Sequence, residues 1–134
     1  MSPRHVPASV SELGRVGLLV SLPGERLVAL AEQMRREDVA PGTVILREGE
    51  PGERFYVLLQ GMVAVSQTHL GPRRLLRPGD YFGEVAAAMD IPRTATVTAI
   101  TPCVVASCDR AAFDEYVFPL FKEGKELESL ADDV

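Results

Sequence analysis

The chain is 134 residues long, 46% hydrophobic and 25% charged, with a net charge of −5 and a pI near 5.0. That length holds one hydrophobic core, and the balance of apolar and charged residues excludes a disordered chain. It shows no basic stripe for a nucleic-acid duplex and no apolar run near the roughly 20 residues that span a bilayer, and its start, MSPRHVPASV, lacks a secretory apolar region; the expected setting is cytoplasmic, with the cytosolic part of a membrane protein as the variant.

Residues 1–10 carry no pattern and are expected to be loose. Ser11 to Val20 reads as a short helix ended by the turn-like SLPG at Ser21–Gly24. Pro23 suits the first position of the next helix, where its missing amide has no partner to lose. From there Leu27, Leu30, Ala31 and Met34 recur at helical spacing, and that helix is expected to end near Arg35 or Arg36.

Between Val39 and Cys108 short apolar segments alternate with turn signals at Pro41-Gly42, Pro51-Gly52, Gly61, Gly71-Pro72 and Pro78-Gly79. Such spacing predicts a β-sandwich or barrel. Phe55 to Gln60 reads as a strand apolar on both faces, and Thr94 to Ala99 as a strand with threonines on one face and Ala95, Val97 and Ala99 on the other. Gly83 to Met89 (GEVAAAM) interrupts the β region as a short alanine-rich helix. Cys103 and Cys108 fall in one strand at an odd spacing, which points them to opposite faces and rules out a bridge between them. Asp109 is placed to cap a further helix that carries Phe113, Tyr116 and Val117 inward. Pro119 is expected to break that helix, with a second amphipathic one over Phe121 to Leu130. The organisation expected is a loose start at 1–10, a domain over 11–118 and a helical tail over 119–134.

Phe82 to Val97 holds the parts of an anion site. Gly83 lets a ligand approach the backbone, and the first turn of the following helix leaves its amides unpaired with roughly half a positive charge. Arg93 returns a forked guanidinium toward the same place, and Pro92 fixes the backbone before it. Glu84 repels a phosphate but accepts from a hydroxyl, so the two residues together suit a sugar phosphate. Each also has a plainer reading: a Glu in a first helical turn complements the dipole, and an Arg after a Pro is commonly a solvated surface residue.

The string FGEVAAAMDIPRTATV closely resembles the phosphate-binding cassette of the cyclic-nucleotide-binding domain family, without a gap. PGTVILREGEPGERFYVLLQGMVAV looks like that family's first strands, with glycines 42, 49, 52 and 61 in the expected turns, and LLRPGDYFGE resembles the strand that enters the cassette. The likeness runs from about Ser11 to Val117. It implies a mainly β fold, a cyclic-nucleotide-binding β-roll (jelly-roll barrel) with N-terminal and C-terminal helices. It also implies that Glu84 accepts the ribose 2′-hydroxyl and Arg93 pairs with the cyclic phosphate, while amides of Gly83, Val85 and Ala86 and those near Thr94 and Ala95 complete the cradle. Phe82, Val65 and Leu76 are further pocket candidates. Asp90 departs from a frequent Gly, and Ala87 and Ala88 are smaller than the usual Leu and Ile. Thr94 permits cGMP without requiring it, and cAMP is favoured. Leu127 or Leu130 is a candidate to cap the base.

The resemblance implies a non-catalytic sensory module of a larger protein such as a transporter, channel or enzyme, with cAMP or cGMP as ligand, no catalytic cofactor and no membrane contact of its own; a homodimer is left open. Two related readings are the regulatory half of a catabolite-activator-like transcription factor and a non-binding scaffold. The former needs a further DNA-binding domain, and the acidic EGKELESLADDV is unsuited to a major groove, so no nucleic-acid contact by this chain alone is expected. A cupin-type metalloenzyme needs two or three histidines with a carboxylate, whereas this chain has His5 and His69.

Overall fold

The computed structural model describes residues 7–124. Chain pairing begins at its first described residue: Pro7 bridges Arg35, and the Ala8 amide donates to the Met34 carbonyl at 3.3 Å. Ser9 then caps helix α1, Val10–Leu13, in a reciprocal box with Glu12. The longer helix expected over 11–20 does not form. Gly14 ends α1 and Gly17 opens a 3₁₀ turn, Gly17–Leu19. Leu13, Val16 and Leu19, three residues apart, are all buried by this tighter winding.

Helix α2, Gly24–Gln33, has Pro23 as its N-cap residue, one position earlier than expected, and buries Leu30 and Ala31. It stops at Gln33 and not near Arg35 or Arg36. Those two arginines open strand β1, Arg35–Val39, which pairs antiparallel with the last strand over five residues. Helix propensity loses to a strand partner that local sequence does not reveal.

Seven strands follow: β2 Val44–Leu46, β3 Phe55–Gln60, β4 Val63–Gln67, β5 Gly71–Leu76, β6 Tyr81–Phe82, β7 Thr96–Ala99 and β8 Cys103–Cys108. They form two four-stranded sheets, ordered β1-β8-β3-β6 and β2-β7-β4-β5. The architecture is a mainly β roll with flanking helices, open rather than closed into one continuous hydrogen-bonded barrel. Helix α3, Glu84–Met89, interrupts it between β6 and β7.

Two apolar clusters fill the roll, and β3 and β8 serve both. Phe55, Val57, Ala106 and Cys108 pack against the helices, while Leu58, Val105 and Cys103 face the second sheet. The period-two alternation of a strand buried on both faces produces this division. It also sets the cysteines on opposite sides, both free and buried, with burial pushing the Cys108 thiol up to about 12.

After β8, Asp109 Oδ1 accepts the Ala112 amide at 3.0 Å and starts helix α4, Arg110–Ala112. Phe113–Val117 continues as a π-helical segment, and α5 runs over Phe118–Gly124. Pro119 therefore does not break the helix. The wider π turn spares the proline the clash with the preceding turn, and the Glu115 carbonyl that a residue-119 amide would have met accepts the Arg26 guanidinium instead, at 2.9 Å. Phe113 and Val117 are buried as expected and Tyr116 is half-buried, with Arg26 4.8 Å above its ring. Phe121 is fully buried against Tyr81 and Phe113. Leu127, Leu130 and His5 lie outside the described residues. Among the described residues no helix is long and apolar enough to cross a membrane, and no cluster of three metal-ligating side chains occurs.

Candidate functional site

Strand β6 hands the chain to Gly83, whose φ of 87° and ψ of 0° lie in the left-handed region. A side chain here is excluded twice over: by the backbone angle, and because a Cβ would sit 2.8 Å from the Arg54 carbonyl oxygen and 3.2 Å from Arg93 Nη1. The turn aims α3 so that Glu84 points inward, fully buried. Asp90 ends the helix, also left-handed, and the segment after it brings Arg93 back beside Gly83.

Arg93 is 7% exposed. Its Nη2 donates to the Arg54 carbonyl at 3.1 Å and its Nη1 to the Gly83 carbonyl at 3.4 Å. Its backbone is clamped by the β2–β3 loop, with the Arg93 amide donating to Glu50 O at 3.0 Å and the Gly49 amide donating to Arg93 O at 2.9 Å. Burial pulls the guanidinium below its usual range, while Tyr56 and the Glu84 carboxylate work in the opposite direction. Tyr56 is itself pushed up by burial, with Arg93 and Arg54 drawing it back, and its ring stacks on Phe82 at 5.0 Å. The two charged residues singled out in the sequence are thus brought together in one buried place.

The other candidates separate into groups. Phe82, Val65, Leu76 and Ala95 share the apolar cluster between the sheets. Val85 faces the opposite way, into the cluster beneath the helices, so its side chain does not line the roll's interior with them. Ala86 is buried on α3. The Thr94 carbonyl accepts from Gln67 Nε2 at 2.8 Å, while its buried Oγ1 has no hydrogen-bond partner among the described residues.

Three contributors escaped the sequence reading. Gly52, legible there only as half of a Pro-Gly turn, leaves room for the arginine: a Cβ on it would lie 2.7 Å from Arg93 Nε. Arg54 supplies the carbonyl that receives Arg93 and is itself fixed by Ser107, through Nε to Oγ and Nη2 to O, both at 3.1 Å. A cavity of about 460 Å³ opens beside Arg93, lined by Pro51, Gly52, Glu53, Asp90, Ile91 and Pro92. No spacing rule links residues 51–53 to residues 90–92; only the fold of the roll does.

The arrangement offers a buried cation and a buried carboxylate beside the first turn of a short helix. Comparison with known proteins bears on the same stretch. The family model described as cyclic nucleotide-binding domain matches residues 36–118. A cAMP-dependent protein kinase regulatory subunit of Dictyostelium discoideum is 37% identical over 119 residues, covering 81% of this chain and 35% of the relative. The regulatory domain of Toxoplasma gondii PKA, co-crystallised with cAMP, superposes with a TM-score of 0.81 at 28% identity over 90% of this chain and 48% of its own. The regulatory subunit of a cAMP-independent protein kinase A from Trypanosoma cruzi, bound to guanosine, gives 0.80 at 27% identity over 92% of this chain and 45% of its own. The chain spans about a third of the Dictyostelium relative and under half of the two structural ones.

Proposed function

This chain belongs to the cyclic nucleotide-binding domain family, and we propose that it binds a purine cyclic nucleotide, cAMP in preference to cGMP, as the non-catalytic sensory module of a larger cytoplasmic regulatory protein. The observation that carries this reading is the shared burial of Arg93 and Glu84 at the start of α3. In it Arg93, with donors beyond the two given to Arg54 and Gly83, binds the cyclic phosphate together with amides of Gly83, Val85 and Ala86. Glu84 takes the ribose 2′-hydroxyl, and Thr94 and Ala95 close the phosphate side. Phe82, Val65 and Leu76 offer apolar surface to the sugar and base.

The kinship with kinase regulatory subunits supports a role in which ligand occupancy moves the C-terminal helices and so reports to an effector. A switch of this kind works only by as much as the ligand prefers one helix arrangement over the other. The binding unit in this reading is 11–118, with 119–134 as the reporting segment. The guanosine-bound relative favours one competing reading, a nucleoside site in which no phosphate is held.

Parallel calorimetric titration with cAMP, cGMP, adenosine and guanosine separates them. The expected result is tightest binding of cAMP, with Arg93→Ala losing about 2–5 kcal/mol because a buried charge contact is removed. Absence of cyclic-nucleotide binding below millimolar concentration sinks the proposal. So does a nucleoside that binds as tightly as its cyclic nucleotide and ignores Arg93→Ala.

A further inference from the structure

We propose that Asp90 and Arg110 form an ionic link that ties the cassette to the helix after β8 and thereby sets nucleotide affinity. Arg110 Nη1 lies 2.8 Å from Asp90 Oδ1. Both residues lie outside the ligand-contacting set, and the inference rests on the reading of that set as a nucleotide site.

Each partner is out of place by its local rules. Asp90, at φ 55° and ψ 46°, is the one non-glycine residue with positive φ among those described. Aspartate tolerates that conformation better than most side chains, yet glycine adopts it without strain. Arg110 opens the helical run that starts at residue 110, where a cation faces the positive end of the dipole. The ion pair offsets both disadvantages across two elements distant in sequence. Within its own helix Arg110 reaches Asp114 only at 3.8 Å.

The placement connects the pair to the site. Asp90 is joined through Ile91 and Pro92 to Arg93, and Asp90, Ile91 and Pro92 line the cavity beside that arginine. With Arg110 attached, displacing α4 pulls on the segment that presents the guanidinium, and fixing that segment steadies α4. The Arg110 side chain is 35% exposed and that of Asp90 77%, so the link is a modest one that salt weakens.

The test is a double-mutant cycle on the 134-residue chain, using Asp90→Asn, which keeps a residue suited to positive φ, Arg110→Gln, and the pair together. Affinity for cAMP and cGMP is measured at low salt and at about 0.5 M salt. Each single variant is expected to bind roughly two- to fivefold more weakly at low salt, the double variant no worse than either, and the gap to close at high salt. Arg110→Lys retains affinity. Hydrogen exchange of ligand-free protein is expected to rise over residues 109–113 in both singles. Unchanged affinity in both singles, or additive losses in the double variant, overturns the link to binding. Unchanged exchange overturns the link itself. If the parent chain binds no cyclic nucleotide, the functional reading falls, and the exchange measurement still decides whether the two elements are tied.

Discussion

Arg93 is positioned chiefly by backbone. Two carbonyls receive its guanidinium, two loop hydrogen bonds hold its main chain, and Gly52 and Gly83 clear the space around it. Such a cation is preorganised, because little side-chain freedom remains to be lost on binding an anion. Gly52→Ala tests this directly. A Cβ placed 2.7 Å from Nε must displace the guanidinium, and the Gly52 backbone itself needs no positive φ. Nucleotide binding is expected to weaken by about 1.5–3 kcal/mol, the worth of a hydrogen bond to a charged group, with little change in melting temperature. Unaltered binding in titrations of this variant counts against Arg93 as the phosphate contact. Gly52 is not conspicuous in the sequence beyond its turn, since its role depends on a side chain from a distant segment.

At the scale of elements, α1 and β1 are joined by Glu12 and Arg36, with Arg36 Nε 3.2 Å from Oε1. Partial burial acts to raise the Glu12 pKa, but the hydrogen bonds and charge of Arg36 together with Ser9 outweigh it, so the group lies below its ordinary 4.5. A carboxyl depressed on folding adds stability that is complete above the unfolded value and fades as pH falls through the folded one. Wild type is therefore expected to have a higher urea midpoint than Glu12→Gln at pH 7, and the two midpoints to converge on acidification below 4.5. A gap that persists at low pH removes the ionic explanation. Neither the capping box of Ser9, in a stretch that carried no pattern, nor the strand that supplies Arg36 was legible in the sequence: RREDV lacks an apolar face and forms only because β8 is there to pair with it.

For the whole molecule, the C-terminal helices belong to the same core as the N-terminal ones. Phe121 beyond Pro119 is fully buried with Phe113, Leu13, Leu19 and Phe55 in one cluster, and its ring meets Tyr81 edge-on at 5.4 Å. Tyr81 directly precedes the cassette, so the packing of α5 and the entry to the site share a side chain. Phe121→Ala is expected to lower unfolding free energy by about 3–5 kcal/mol in denaturant titrations, as for a large aromatic removed from a core. A loss below about 1 kcal/mol fits a peripheral helix and contradicts this packing.

The sequence by itself determined a β-rich domain, the short helix inside it and the presence of Glu84 and Arg93 in one stretch, while the likeness to a known family supplied the roll. Period-two threonines, Pro-Gly turns and an alanine run are local signals, and the cassette is contiguous in the chain. Tertiary structure alone decided where α2 ends, why the helix passes Pro119, and which loop encloses Arg93. Those outcomes depend on partners far away in sequence: β8 for β1, Arg26 for the Glu115 carbonyl, and Gly52 with Arg54 for the guanidinium. Local propensities amount to fractions of a kcal/mol per residue, and strand pairing or burial of a charged group outweighs them.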